Sequence, residues 1–273
     1  MTIEEAGPNP DRLAAAIHLQ LRDKGGAVPV YAIAKSLDIV EIKEAPLKSL
    51  AGAVVTTPDR NEGSILINSQ SPPPRRRFTV AHELGHFLNP WHQPSHPSGS
   101  FSCTPADLRA GWRRRATGAS RHVTQEIEAN RFAIELLAPP QLMRPYLRGI
   151  PDLAKVLSLA RVLDLSREAC ARRYVEMLEQ PSALILSADG VVRYVDRHRE
   201  FPFVACHRGQ RSPALPSPAD ETGLSAHVEA DVRDWLARPA PGSLVAQTLT
   251  QRGGYSITLL AFDATEAKSE NDG

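Results

Sequence analysis

Nowhere in this 273-residue chain is there a run of eighteen apolar residues, the least that reads as a membrane-crossing helix. The opening stretch Met1-Thr2-Ile3-Glu4-Glu5-Ala6 lacks the basic and apolar regions of a secretory signal, so the expected location is the cytoplasm. Cysteine is scarce. Cys103, Cys170 and Cys206 are odd in number, widely spaced and form no C-x-x-C, which argues against a disulfide framework. Excess charge is lacking too: the net charge is +1, so no global field draws the chain to nucleic acid or a membrane surface. No internal repeat is found. The length leaves room for one to three domains and an ample core.

What is present is concentrated in Phe78-Thr79-Val80-Ala81-His82-Glu83-Leu84-Gly85-His86-Phe87-Leu88. This is H-E-x-x-H in a helix-compatible setting. At about 3.6 residues per turn, His82 and His86 share one helical face and can point at one ion. Glu83 leaves the helix about 100° round from His82, which suits a group that handles the attacking water rather than the metal. The plain alternative is an amphipathic helix that happens to carry two histidines. A catalytic zinc wants three protein ligands and one open position, and a second helix offers the third. Thr124 reads as its N-cap and Pro139-Pro140 as its stop,. Glu126, Ala129, Asn130 and Ala133 form one stripe. Its alanines allow close approach to the first helix, and Asn130 can hydrogen-bond a ligand histidine. Glu128 is the rival ligand, but its stripe runs through Arg131, Phe132 and Glu135 and looks less like a tight helix contact.

The pair R-F-T-V-A-H-E-L-G-H-F-L and E-I-E-A-N-R-F-A-I-E-L-L-A-P resembles the ImmA/IrrE family of metallopeptidases. Ser64-Ile65-Leu66-Ile67-Asn68-Ser69 is similar to the strand that precedes the active-site helix in that family. The likeness covers about residues 28 to 140, with weaker similarity onward. It implies zinc on His82, His86 and Glu126, with Glu83 as general base, and so favours Glu126 over Glu128 independently of spacing. Manganese is a further ion to test in activity. The resemblance also implies a substrate, a helix-turn-helix transcriptional repressor whose cleavage releases stress-response or mobile-element genes.

Along the chain, Asp11 to Lys24 and Tyr31 to Leu37 read as helices, with His18 a surface or packing histidine. Asp38 to Lys43, Ala51 to Thr57 and Ser64 to Asn68 read as strands. A small sheet beside an H-E-x-x-H helix is the usual zincin arrangement, in which an edge strand holds an extended peptide. Pro72-Pro73-Pro74 predicts an extended approach, and Arg75-Arg76-Arg77 a solvated helix start rather than a polyanion patch. Asn89 to His122 is irregular and lies between the two ligand-bearing helices. His92, His96 and His122 are its candidates for oxyanion donor or extra ligand, against the simpler reading of exposed loop histidines. Cys103 as an inhibitory thiolate has no support in its surroundings. Trp112-Arg113-Arg114-Arg115 makes this loop basic.

Residues 151 to 178 read like a helix-turn-helix with Ser166 as cap and Arg167, Arg172 and Arg173 on the second helix. This is also a common packing unit, so direct DNA binding is the lesser expectation. Hairpins are expected around Asp189-Gly190 and Gly253-Gly254, with a helix over Leu224 to Ala237. The expected architecture is α+β. It comprises a zincin-like peptidase domain at 1–145, a helix-turn-helix-like segment at 146–180, a sensory or docking α+β domain at 181–263 and a disordered polar tail at 264–273. The favoured function is a zinc endopeptidase that cuts a repressor. The rivals are a non-proteolytic regulator with a structural metal and a toxin–antitoxin component, and an intact Glu83 speaks against a purely structural site.

Overall fold

The computed structural model describes residues 2–22, 25–95, 99–109, 120–238 and 240–263, and shows an α+β fold. The chain divides into two units, Met1–Leu142 with Arg161–Ser166, and Met143–Ala160 with Arg167–Gly273. Among the described residues no helix is long and apolar enough to cross a membrane. The expected polar tail at 264–273, His96 and the Trp112 to Arg115 stretch lie outside the described residues.

The first unit begins with α1 (Ile3–Ala6), α2 (Pro10–Gln20) and α3 (Val30–Ser36). Leu13, Ala16 and Ile17 are buried as their spacing predicts, and α2 packs on the later α5 (Arg121–Leu137). His18 is a packing histidine, its Nε2 2.9 Å from the Leu136 carbonyl. Strands β1 (Ile39–Ala45), β2 (Gly52–Thr56), β3 (Gly63–Asn68) and β4 (Ser100–Cys103) form a mixed sheet in the order β1-β3-β2-β4. The β1–β3 pair is parallel and the other pairs antiparallel. Strand β4 was not expected inside the irregular stretch. Four residues are too few to show periodicity, and only the pairing of Gly52 to Val55 with Cys103 to Ser100 defines them as a strand. Helix α4 (Pro73–Leu88) lies on β2 and β3 and against α5.

The second unit is built on a five-stranded antiparallel sheet, β6-β5-β9-β8-β7. Its strands are β5 (Ser182–Ala188), β6 (Val191–Arg197), β7 (Val228–Glu229), β8 (Ser243–Thr250) and β9 (Tyr255–Asp263). Asp189 and Gly190 both have positive φ, 50° and 73°, the type I′ geometry that fits a two-residue hairpin. Ala183, Ile185, Ala246 and Leu260 bury one face of the sheet against Phe201, Val204, Trp235 and Leu236. The helix expected over Leu224 to Ala237 is only α9 (Val232–Trp235). Upstream of it Val228 and Glu229 pair with Ala246 and Val245, because an available sheet edge outweighs modest helical spacing. Helix α6 (Pro140–Met143) is followed by the helix-turn-helix-like pair α7 (Leu153–Leu163) and α8 (Arg167–Met177). Arg172 and Arg173 are buried. Arg172 meets Asp196 at 3.1 Å and Arg173 meets Glu176 at 3.0 Å, while Arg167 is exposed.

Candidate metal centre

Helix α4 starts earlier than expected. Only Pro72 is extended, and Pro73 and Pro74 form the first turn, where a missing N–H leaves nothing unsatisfied and the fixed φ is already helical. Arg76 pairs with Glu44 and Arg77 donates to the Val28 carbonyl, so two of the three arginines tie the helix start to its neighbours. From Phe78 to Phe87 every residue is buried. Two glycines let this segment sit so deep. A Cβ on Gly52 would lie 2.4 Å from Thr79 Cγ2 and 3.1 Å from Glu83 Oε1. One on Gly85 would lie 2.9 Å from Phe132 Cδ1 and 3.3 Å from Ala129 Cα. Helix α5 also begins sooner, at Arg121, because Ser120 and not Thr124 is the N-cap, accepting from the Val123 N–H.

The predicted stripe of α5 faces α4. Glu126, Ala129, Asn130 and Ala133 are all buried, and His82, His86 and Glu126 converge with their ligand atoms within 4.8 Å of one another. The two Nε2 atoms are 3.1 Å apart. Glu126 Oε2 is 3.1 Å from His82 Nε2 and Oε1 is 3.4 Å from His86 Nε2. Although close to His82, Oε2 makes no hydrogen bond. Donor atoms that converge this closely fit a shared cation, a proton or a metal ion. Asn130 fixes the His82 tautomer: its Nδ2 donates to the Asp107 carbonyl at 2.8 Å. Its Oδ1 is thereby turned to accept from His82 Nδ1, 2.9 Å away, and Nε2 faces the site.

Burial pushes His86 down to about 4, so it is neutral at pH 7. Burial would lower His82 as well, but the Glu126 carboxylate beside its Nε2 raises it on balance. Glu126 would be raised by burial, yet His82 and His86 hold it well below the carboxylate range. A proton and a metal ion therefore compete for the His82 lone pair. Burial raises Glu83 to about 7, near the pH at which a general base works best. The Cys103 thiol of β4 donates to Glu83 Oε1 at 2.7 Å, while Oε2 is buried with no hydrogen-bond partner. Cys103 also falls in a second trio with His82 and Glu83. Its burial and the Glu83 charge keep its proton on, well above the usual thiol range, and a protonated thiol is a poor ligand.

The remaining predicted residues separate clearly. Glu128 points away from the trio, with Oε2 3.1 Å from His92 Nε2. His92 is buried, and its Nδ1 lies 2.9 Å from His86 Nδ1. It stands ten residues after His82, as the last histidine does in H-E-x-x-H-x-x-G-x-x-H zinc sites, but Asn89 replaces the glycine and the ring meets the outer nitrogen of His86. His122 is half-exposed at the rim, 3.6 Å from Glu126 Oε1 and 3.7 Å from Asp107 Oδ1, beyond hydrogen-bonding distance. One residue escaped the sequence reading. Arg60, at positive φ in the β2–β3 turn, donates to the carbonyls of His86, Phe87, Asn89 and His92. Its guanidinium lies 5.4 Å from the Phe101 ring centroid, and that ring stacks on His86 at 5.0 Å. An arginine among Pro58-Asp59-Arg60-Asn61-Glu62-Gly63 carries no mark that separates it from a solvated turn residue.

No curated protein matches the chain. A solved structure described as a Mycobacterium tuberculosis transcriptional regulator aligns over 95% of this chain and 77% of its own, with a TM-score of 0.56 and 13% identity, a likeness of fold. The family model described as the IrrE N-terminal-like domain, Peptidase_M78, matches residues 38–174. That span is half of the chain and holds both motif helices with the histidine pair, Glu83 and Glu126, so this protein belongs to the Peptidase_M78 family of IrrE N-terminal-like domains.

Proposed function

We propose that this protein is a zinc-dependent endopeptidase that cuts a helix-turn-helix transcriptional repressor at a specific site, in a stress-response or mobile-element pathway. One observation carries the reading: a buried His82–His86–Glu126 donor set beside a glutamate that is raised to about 7 and has one oxygen unengaged. A site that served structure alone would need no such base. His82, His86 and Glu126 would hold the ion. Zinc there would polarise the scissile carbonyl and acidify the attacking water. Glu83 takes the water proton on Oε2 and returns it to the leaving amine. The thiol of Cys103 holds Oε1 and so fixes which oxygen does this.

Strand β4 supports peptide docking. The Gly99 and Cys103 carbonyls accept from Thr56 and Ala51 on the β2 side. By alternation, the main-chain groups of Ser102 turn to the edge that no other described strand pairs,, where an extended substrate can add as a strand. His122 belongs to the first turn of α5 and not to the loop. Half-exposed and 3.6 Å from Glu126 Oε1, it is the candidate to meet the carbonyl oxygen, since His92 is engaged with His86. The repressor as substrate follows from the family resemblance, and the solved structure of like fold being called a transcriptional regulator agrees with a regulatory setting. The test is Glu83→Gln. It should retain zinc near one ion per chain and lose cleavage by on the order of 10²-fold or more. Undiminished cleavage by that variant would refute the assignment.

A further inference from the structure

We infer that His92 and Glu128 form a positioning relay for His86: Glu128 sets the tautomer of His92, and His92 sets the tautomer of His86, so that the His86 Nε2 lone pair faces the ion. The inference rests on the metal reading of the same site and assigns a role to the glutamate that rivals Glu126.

The geometry is a chain of contacts that leads away from the centre. His86 Nδ1 is 2.9 Å from His92 Nδ1, and His92 Nε2 is 3.1 Å from Glu128 Oε2. Two unprotonated nitrogens cannot share a hydrogen bond, so one Nδ1 donates to the other. If His86 Nδ1 carries the proton, its Nε2 is bare towards His82 and Glu126. If His92 Nδ1 carries it, His86 Nδ1 accepts, and the His86 proton moves to Nε2, where the ion should sit. The other end of His92 decides between the two. Its Nε2 faces two groups of opposite demand, the Asn89 amide Nδ2 at 3.0 Å, which donates, and the Glu128 carboxylate, which accepts. A charged acceptor forms the stronger bond, so Nε2 carries the His92 proton and Nδ1 is left to accept from His86.

The ring of His92 is held in place for this. Arg60 binds the His92 carbonyl. The Gln125 side chain brackets the next residue, accepting from the Gln93 N–H at 2.9 Å and donating to its carbonyl at 3.1 Å. A loop histidine whose only task was bulk would not need its backbone fixed from both neighbouring elements. Asn130 does the same for His82, so each ligand histidine has its own tautomer-setting partner.

The experiment uses the full chain, stripped of metal, and measures zinc affinity by competition with a chromophoric chelator. His92→Ala and Glu128→Ala should each bind one ion per chain with affinity about 10- to 100-fold weaker, and Glu126→Ala should lose more than Glu128→Ala. His92→Gln should recover most of the loss, because its amide oxygen accepts from His86 while its amide nitrogen donates to Glu128. In parallel, nitrogen-15 spectra of the metal-free protein should show His86 protonated on Nδ1, with the Nε2-protonated fraction rising in Glu128→Ala. Glu128 is partly exposed, so its variant tests the relay even where His92→Ala fails to fold. Unchanged zinc affinity and an unchanged His86 tautomer in Glu128→Ala would overturn the relay while leaving the metal site standing. Loss of the ion in His92→Ala as complete as in His86→Ala would make His92 a ligand and overturn it as well. Failure of the unaltered chain to bind zinc would remove the metal reading, and the His86 tautomer in the metal-free protein would still decide the relay.

Discussion

Glu83 is where a single side chain couples stability to chemistry. Its carboxyl is buried, and that burial raises it from about 4.5 to about 7. A raised carboxyl means that the folded state holds the proton more tightly than the unfolded state. This stabilising preference is complete below about pH 4.5 and is lost as pH rises through about 7,. Glu83→Gln removes the titration. In the metal-free protein, denaturant unfolding of wild type and variant should differ least near pH 4. At pH 8 the variant should be the more stable by up to about 3 kcal/mol, the worth of such a shift. A difference that stays flat between those pH values would show that the burial of Glu83 has no such cost. The convergence of His82, His86 and Glu126 was legible in the sequence, because helical spacing puts the two histidines on one stripe and Glu126 on a facing one, with Glu83 about 100° round. Arg60 was not legible at all, and His92 was singled out as a candidate ligand or oxyanion donor but not as the partner of His86. The contact of Arg60 with His92 runs across 32 residues, from a turn guanidinium to a loop carbonyl, and no local periodicity encodes that.

At the scale of elements, the junction of α4 and α5 is set by what Gly85 lacks. Its missing Cβ is the space that Phe132 and the backbone of Ala129 occupy, and the same approach brings Glu126 to the histidines. Gly85→Ala should therefore act twice. Overpacking should destabilise the fold by about 1–3 kcal/mol, and zinc affinity should fall because the third ligand is pushed back. Calorimetric melting and chelator competition read the two effects separately. Retained affinity with a lowered melting temperature would show that Glu126 follows the histidines independently of the helix junction. The alanine stripe announced this junction in the sequence, and β2 and β3 were announced as two strands joined by a turn-rich connection. Strand β4 and the true extent of α9 were not. The first is defined by its partner strand and the second is shortened by pairing with β8, and both are decided by tertiary contacts that override local preference.

For the whole molecule, selectivity is the open question, because zinc and Glu83 would offer the same chemistry to any peptide bond. Discrimination must come from surfaces: the β4 edge, the stretch between β4 and α5, or the second unit with its five-stranded sheet. The second unit contributes no ligand to the His82–His86–Glu126 set, and a peptidase of unfolded chains would have no use for it. A substrate that arrives folded and offers an extended segment would need both a docking surface and the β4 edge. On the proposed reading, the purified protein with zinc, and in a parallel reaction manganese, should cleave a candidate helix-turn-helix repressor at one main position. Casein in the same buffer should be left nearly intact. Glu83→Gln, run alongside, should abolish the repressor fragments and so exclude a contaminating protease. Rapid digestion of casein with the repressor untouched would overturn the regulatory reading. It would leave the metallopeptidase standing and turn the second unit into a domain with some other task.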